Sequence, residues 1–295
     1  MIETKILSGI EVSRKIYGAL EDRIRKLKSR NIVPNLAVIL VGNNPASAVY
    51  VNSKKKKFNQ LKLKTKTFHL DVDTSEEILL NLINTINLDE KCHGILVQLP
   101  LPEHVNTRNI LWAIEPKKDV DGFHPENVGL LSIGQPRFIP CTPKGIIRIL
   151  EHEKIFLNGK HVVVIGRSNI VGRPISILTS LKNNNSNGTT TLCHSATSDM
   201  GRFTKQADVI ISAIGRPNYI TGSMIKSNSV LIDVGINRVK DTNNKKGYKL
   251  VGDIEWNSID GIAQAATPVP GGVGPMTIAM LVENTVEAAE KSLLF

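Results

Sequence analysis

Two hydrophobic periods alternate along the chain. Unbroken apolar runs, mostly β-branched, recur at Leu36–Val41, Gly94–Leu99, 161–165, Val209–Ile214 and Val230–Val234, with more mixed runs at Lys66–Leu70 and Thr189–Cys193. Runs of this length closed by Gly, Pro, Asn or Asp read as buried strands of a parallel sheet. Between them apolar residues return every three or four positions. Val12, Ile16, Ala19, Leu20, Ile24 and Leu27 predict a helix over 11–30. Others are expected from about Ala46 to Leu61, over Ile78–Leu88, around Ile110–Ile114, over Gly145–His152, from Pro174, and from Pro275 onward. Thr74-x-x-Glu77 has the form of a capping box, and Thr142-Pro143 that of a cap followed by proline at the first helical position. Lys182–Gly188 reads as a polar surface loop and Asp241–Lys249 as a hairpin tip. Strand and helix in alternation define an α/β fold with parallel sheets, and 295 residues accommodate two domains.

Composition narrows the partners. A net charge of +10 invites a polyanion, but the lysines are spread along the chain and aromatics make up only 4%, so nucleic acid is not expected. Met1–Leu7 alternates charged and apolar residues, unlike a signal peptide, and no apolar run approaches the roughly 18 residues of a membrane span. Cys92, Cys141 and Cys193 lie far apart without metal-ligand spacing. Reduced thiols in a cytoplasmic protein that holds no metal are the expectation.

Several stretches carry candidate chemistry. At 161–174 a strand ends at Gly166, and Gly172 precedes Pro174 and an apolar run. Strand, glycine turn and helix start can present backbone N–H groups to a phosphate. The spacing departs from G-x-G-x-x-G, with Ser168 for the second glycine and Gly172 one place late, so an ordinary strand–turn–helix corner remains an alternative. Tyr50 and Lys54 project on one helical face, although Lys54 opens a four-lysine run that also fits a solvated surface. Tyr-x-x-x-Lys is the dyad of short-chain dehydrogenases too, but here it precedes the glycine turn by over a hundred residues, the wrong order for that family. Gln98 is the one polar residue near the end of an apolar strand, where open α/β sheets bind ligands. Asp119-Val-Asp121-Gly122 places two acids in a turn, and Thr267–Thr277 sets three glycines among three prolines before a helix. Such a rigid loop lets a ligand approach the backbone closely.

Six motifs occur in order: Tyr50-Val-x-x-Lys54, Gly94–Pro102, Lys118-Asp-Val-Asp-Gly122, Pro140-Cys-Thr-Pro143, Gly166-Arg-Ser-x-Ile-Val-Gly-x-Pro174 and Pro270-Gly-Gly-Val-Gly-Pro-Met-Thr277. Together, over nearly the whole chain, they resemble the bifunctional methylenetetrahydrofolate dehydrogenase/methenyltetrahydrofolate cyclohydrolase family. The resemblance implies oxidation of 5,10-methylenetetrahydrofolate with NADP and hydrolysis of the methenyl product to 10-formyltetrahydrofolate, a step of one-carbon metabolism that serves purine biosynthesis. It implies Lys54 as acid/base, Gln98 as its orienting partner, Tyr50 stacking on the folate, and Asp121 as pterin anchor, with Asp119 structural. Val97, Leu99 and the loop Pro270, Gly271, Gly272, Val273 and Gly274 would line the folate site. Gly166, Arg167, Ser168, Ser195 and Ile236 would hold NADP.

Cofactor choice has an independent argument. The strand expected to carry an NAD-selecting acid ends Leu192-Cys193-His194-Ser195, with no carboxylate. Arg167 and Ser195 suit a 2′-phosphate; His194 is read as a strand-end residue or a third reader. The family also implies an N-terminal catalytic domain over 1–145 completed by 269–295, a Rossmann-like domain over 146–268, folate between them, and a homodimer. Ala263-Gln-Ala-Ala266 departs from the family's β-branched pattern, so a weaker strand is expected there. Two rivals are a dehydrogenase that has lost the hydrolase step or prefers NAD, and a non-catalytic binding protein. The presence of Lys54, Gln98 and Asp121 opposes the lost step and the binding protein, and the missing strand-end acid opposes NAD.

Overall fold

The structure is a computed structural model and describes residues 3–242 and 247–294. In chain order it runs β1 (Lys5–Ile6), α1 (Gly9–Lys28), β2 (Asn35–Val41), α2 (Pro45–Gln60), β3 (Lys64–Leu70), α3 (Glu76–Leu88) and β4 (Gly94–Val97). There follow α4 (Thr107–Trp112), α5 (Pro125–Ser132), α6 (Cys141–His152), β5 (His161–Ile165), α7 (Gly172–Ser180), β6 (Thr189–Cys193) and α8 (Met200–Thr204). The remainder is β7 (Val209–Ser212), β8 (Val230–Asp233), β9 (Asn237–Lys240), β10 (Tyr248–Val251), α9 (Trp256–Ile259), β11 (Ala265–Ala266) and α10 (Val273–Lys291). Two compact units result: Lys15–Cys141 with Ile278–Phe295, and Met1–Arg14 with Thr142–Thr277.

The Lys15–Cys141 unit holds a parallel sheet of order β3-β2-β4. Ala37, Ile39 and Val41 alternate onto one face, where they pack with Ile95 and Val97 against Leu79, Ile83 and Ile86 of α3 and Ile110 of α4. The Ser75 hydroxyl accepts from Ile78 N and caps α3, so the cap falls one residue after the expected Thr74.

The Thr142–Thr277 unit carries a six-stranded parallel sheet, β1-β11-β8-β7-β5-β6. Val162–Ile165 are wholly buried, as a central parallel strand covered on both faces requires. The order reverses at β5, whose neighbours β6 and β7 lie on opposite sides. The crevice past the ends of β5 and β7 is the topological switch point, where doubly wound sheets bind ligands.

The unit borders differ from the expected 1–145 and 146–268. Residues 3–14 cluster with the second sheet because β1 pairs with β11, Lys5 opposite Ala265 and Ile6 opposite Ala266. Thr4 Oγ1 also donates to Ala263 O over 3.0 Å. Residues 269–277 cluster there as well: Gly271 O accepts from Ile10 N at 3.2 Å, and a Cβ on Gly9 would meet Gly272 O at 1.8 Å. β11 is two residues long, the weak strand that the alanines foretell. The 241–249 hairpin is β9 with β10; residues 243–246 at its tip lie outside the described residues. Among the described residues no helix is long and apolar enough to cross a membrane.

Candidate active site

Asn44 Oδ1 accepts from Ser47 N at 3.2 Å and Pro45 opens α2, which fixes the helix that carries Tyr50 and Lys54. Within that helix Val51, Lys54 and Phe58 form the buried stripe, whereas Lys55 and Lys56 are exposed. Helical phase therefore singles out one lysine of the run of four. Lys54 is only 8% exposed, and its Nζ donates to Gln98 Oε1 over 3.0 Å. Gln98 sits one residue past β4, which ends earlier than the expected Leu99. Its Nε2 donates to Leu99 O at 2.8 Å and its backbone N to Ile39 O at 2.8 Å. Because Leu99 O can only accept, the amide is held with its oxygen toward Lys54. Val97 is buried at the strand end, and Leu99 is half-buried.

Burial pushes the Lys54 amine down from its ordinary range; the charge of Asp121, and after it the Cys141 sulfur, pulls the other way. Asp121 shows the converse. Desolvation pushes its carboxyl up, with Asp119 adding to that, while the Lys54 charge and a hydrogen bond from Cys141 oppose it. The sequence did not single out the Cys141 thiol. The Pro140–Pro143 motif marks the segment but says nothing of where its sulfur points.

Three residues of Lys118-Asp-Val-Asp-Gly122 divide the labour. Lys118 Nζ donates to Ile86 O, Asn87 O and Asp89 O at 3.1, 2.7 and 2.7 Å, satisfying carbonyls at the end of α3. Asp119 is buried and accepts from Gly122 N, His124 N and Asn127 Nδ2 at 3.1, 2.7 and 2.9 Å. It holds the turn together, which leaves Asp121 as the carboxylate that faces the lysine.

The glycine turn lies in the other unit, at the switch point. Gly166 has φ +116°, and a Cβ there would meet Ala213 O at 2.3 Å; a Cβ on Gly172 would meet Gly166 O at 1.9 Å. Both positions require glycine. Ser168 Oγ accepts from Val171 N at 3.1 Å and Gly172 N at 3.4 Å, so it caps the start of α7. Arg167 is exposed and has no hydrogen-bond or ion-pair partner among the described residues, and Ser195 is exposed past the end of β6. His194 Nδ1 accepts from Ala196 N at 3.2 Å, the turn-forming role of a strand-end residue. The donor set fits a phosphorylated dinucleotide: a turn bounded by two obligatory glycines, an unpaired guanidinium, a hydroxyl, and no carboxylate at the end of β6.

Pro270–Gly274 leads into α10, with Gly271 at φ +108° and Gly272 N donating to Pro268 O over 2.8 Å. Ile236 is 45% exposed, and its Cδ1 would lie 3.8 Å from a Cβ on Gly274. Two buried acids hold Gly235 and Asn237, the chain neighbours of Ile236, and bind the loops together, a feature the sequence reading overlooked. Asp253 accepts from Ile214 N, Gly215 N and Asn237 Nδ2 at 2.9, 3.1 and 3.0 Å. Asp233 accepts from Gly235 N, Asp253 N and Ile254 N, each at 2.9 Å.

A glycine turn at the switch point of one doubly wound unit and a buried titratable lysine in another α/β unit define a two-unit, dinucleotide-binding α/β enzyme. Residues 7–121 match the tetrahydrofolate dehydrogenase/cyclohydrolase catalytic domain, and residues 140–293 its NAD(P)-binding domain. The chain belongs to the tetrahydrofolate dehydrogenase/cyclohydrolase family. It is 50% identical over 289 residues to the bifunctional protein FolD of Acetivibrio thermocellus, covering 98% of each chain. The crystal structure of the FolD methylenetetrahydrofolate dehydrogenase/cyclohydrolase of Campylobacter jejuni matches with a TM-score of 0.92 at 46% identity, covering 98% of this chain and 99% of that one. The Trypanosoma brucei enzyme, complexed with NADP cofactor and inhibitor, matches with a TM-score of 0.94 at 35% identity over 99% of both chains.

Proposed function

We propose that this chain oxidises 5,10-methylenetetrahydrofolate with NADP and hydrolyses the resulting methenyl cation to 10-formyltetrahydrofolate. The observation that supports this reading is the buried Lys54 amine, hydrogen-bonded to Gln98 and facing Asp121. NADP supplies the hydride acceptor. Hydride leaves a carbon flanked by two nitrogens, and the positive charge spreads over both, so the oxidation needs alignment rather than a protein base. Gly166, Arg167, Ser168, Ser195 and Ile236 hold the dinucleotide, with Arg167 and Ser195 toward the 2′-phosphate. Ser168 contributes through its cap on α7.

Hydrolysis needs a proton carrier. Water attacking the bridge carbon must lose a proton, and the ring nitrogen released when its bond to that carbon breaks must gain one. A lysine near 10.4 is protonated at neutral pH and cannot accept. Burial lowers the Lys54 amine, and a cationic substrate lowers it further, so it takes the proton from water and returns it to the nitrogen. Gln98 aims the amine, Asp121 anchors the pterin, and Tyr50, one turn before Lys54, stacks on the folate. Val97, Leu99 and Pro270, Gly271, Gly272, Val273 and Gly274 complete the folate contacts. Residues 1–145 with 269–295 serve the folate and 146–268 the dinucleotide, apart from the border residues noted above. The enzyme works as a cytoplasmic homodimer supplying one-carbon units to purine biosynthesis.

The deciding experiment supplies methylenetetrahydrofolate with NADP or NAD and follows reduced nucleotide and methenyl absorbance together. Reduction with NADP followed by methenyl decay is expected. Absence of reduction with either nucleotide overturns the reading.

A further inference from the structure

Asn284 lies inside α10 with a fully buried side chain, next to the apolar Leu281, Val282 and Val286. Asparagine is a weak helix former, and a buried amide must find partners. The partners explain its presence. Asn284 Nδ2 donates to Val120 O at 2.8 Å and Ile139 O at 3.0 Å, and it lies 3.8 Å from Cys141 Sγ. Val120 immediately precedes Asp121, and Ile139 lies two residues before Cys141. The same two segments press together at Gly122, where φ is +73° and a Cβ would meet Pro140 N at 3.0 Å. The Cys141 thiol lies within hydrogen-bond reach of both Val120 O, at 3.5 Å, and the Asp121 carboxylate, its single S–H serving one of them at a time. One amide from α10 thus bridges the backbone beside the carboxylate and the backbone beside the thiol.

We propose that Asn284 is a positioning residue for the reaction, fixing the Val120–Gly122 turn against Ile139–Cys141 so that the Asp121 carboxylate faces Lys54. The inference rests on the reading of Lys54 as acid/base. The charged and titratable groups that face Lys54 are Asp121 and Cys141; those that face Asp121 are Lys54, Asp119 and Cys141. Once the turn slackens, the Lys54 ammonium loses its counter-charge while the surrounding protein still excludes water. Its titration then moves to lower pH.

The test is Asn284→Ala, with Asn284→Ser, which keeps one donor, as a milder second variant. Methenyl hydrolysis is measured against pH, alongside KM for methylenetetrahydrofolate, KM for NADP and thermal unfolding. The acid limb of hydrolysis is expected to move down by about one pH unit and the folate KM to rise about 3–10-fold, with the NADP KM unchanged. A lower melting temperature with limb and folate KM unchanged overturns the proposal and leaves a purely structural residue. So does failure of both variants to fold. Lys54→Met assayed in parallel separates the two claims. If it retains hydrolysis, the acid/base reading fails; if it loses hydrolysis while the Asn284 variants behave as wild type, only the positioning role fails.

Discussion

The Lys54 ammonium donates to the Gln98 side-chain oxygen over 3.0 Å, joining the middle of α2 to the residue just past β4. Both side chains are set by backbone that is tied down, one by a capped helix and the other by the Gln98 N–H bond to Ile39 O of the central strand β2. The amine is therefore aimed before any substrate arrives, the preorganisation that acid–base catalysis rewards.

Lys54→Met is expected to lower methenyl hydrolysis by about 10²–10⁴-fold while hydride transfer to NADP falls far less. Equal loss of both activities in the purified variant would show that the lysine serves binding rather than proton transfer.

The pH dependence follows from the same pair. Burial holds the Lys54 amine below its usual range, so hydrolysis should rise with pH along a limb below the ordinary lysine value of about 10.4. Asp121 is the first cause opposing that fall. Asp121→Asn should move the limb lower still; a limb that moves upward contradicts the charge relationship.

Gly172→Ala places a methyl group 1.9 Å from Gly166 O, a backbone atom that cannot swing aside. Destabilisation of about 1–3 kcal/mol is expected from denaturant unfolding. The NADP KM should rise more than the folate KM, and a variant with wild-type stability would refute the close packing.

Nucleotide preference is testable at the end of β6. Ser195→Asp sets a carboxylate where a 2′-phosphate reader is proposed, and Arg167→Ser removes the unpaired cation. Each should lower the NADP-over-NAD ratio of kcat/KM by at least about tenfold, ~1.4 kcal/mol. An unchanged ratio in both variants would place the 2′-phosphate elsewhere.

Asp233 couples stability to pH. Its carboxyl is pushed up to about 7, chiefly by burial, with Asp253 adding to the shift and three backbone donors opposing it. A group that holds its proton more tightly when folded contributes fully below its unfolded value near 4 and loses that contribution as pH rises toward 7. Wild type should therefore exceed Asp233→Asn in unfolding free energy by more at pH 5 than at pH 8. A pH-independent difference would count against the shift.

Strands buried on both faces were legible because their apolar runs are unbroken, as at Val162–Ile165. Elements held by tertiary contacts were not. β1 is two residues long and exists through its pairing with β11. α5 starts at a His124 cap with Pro125 behind it and lacks an apolar stripe long enough to show a period. In the site, the spacing of Tyr50 and Lys54 placed them on one face, but only helical phase against Val51 and Phe58 separated Lys54 from its exposed neighbours. The approach of Cys141 and Asn284 to the Asp121 turn joins residues remote in sequence, which no local pattern announces.

The pairing of β1 with β11 carries a consequence for synthesis. As the chain leaves the ribosome, its opening strand has no hydrogen-bonding companion until Ala265 and Ala266 have emerged, and the Asp121 turn lacks its α10 amide for longer still. A nascent chain halted short of these residues should already possess the β3-β2-β4 sheet yet remain catalytically silent.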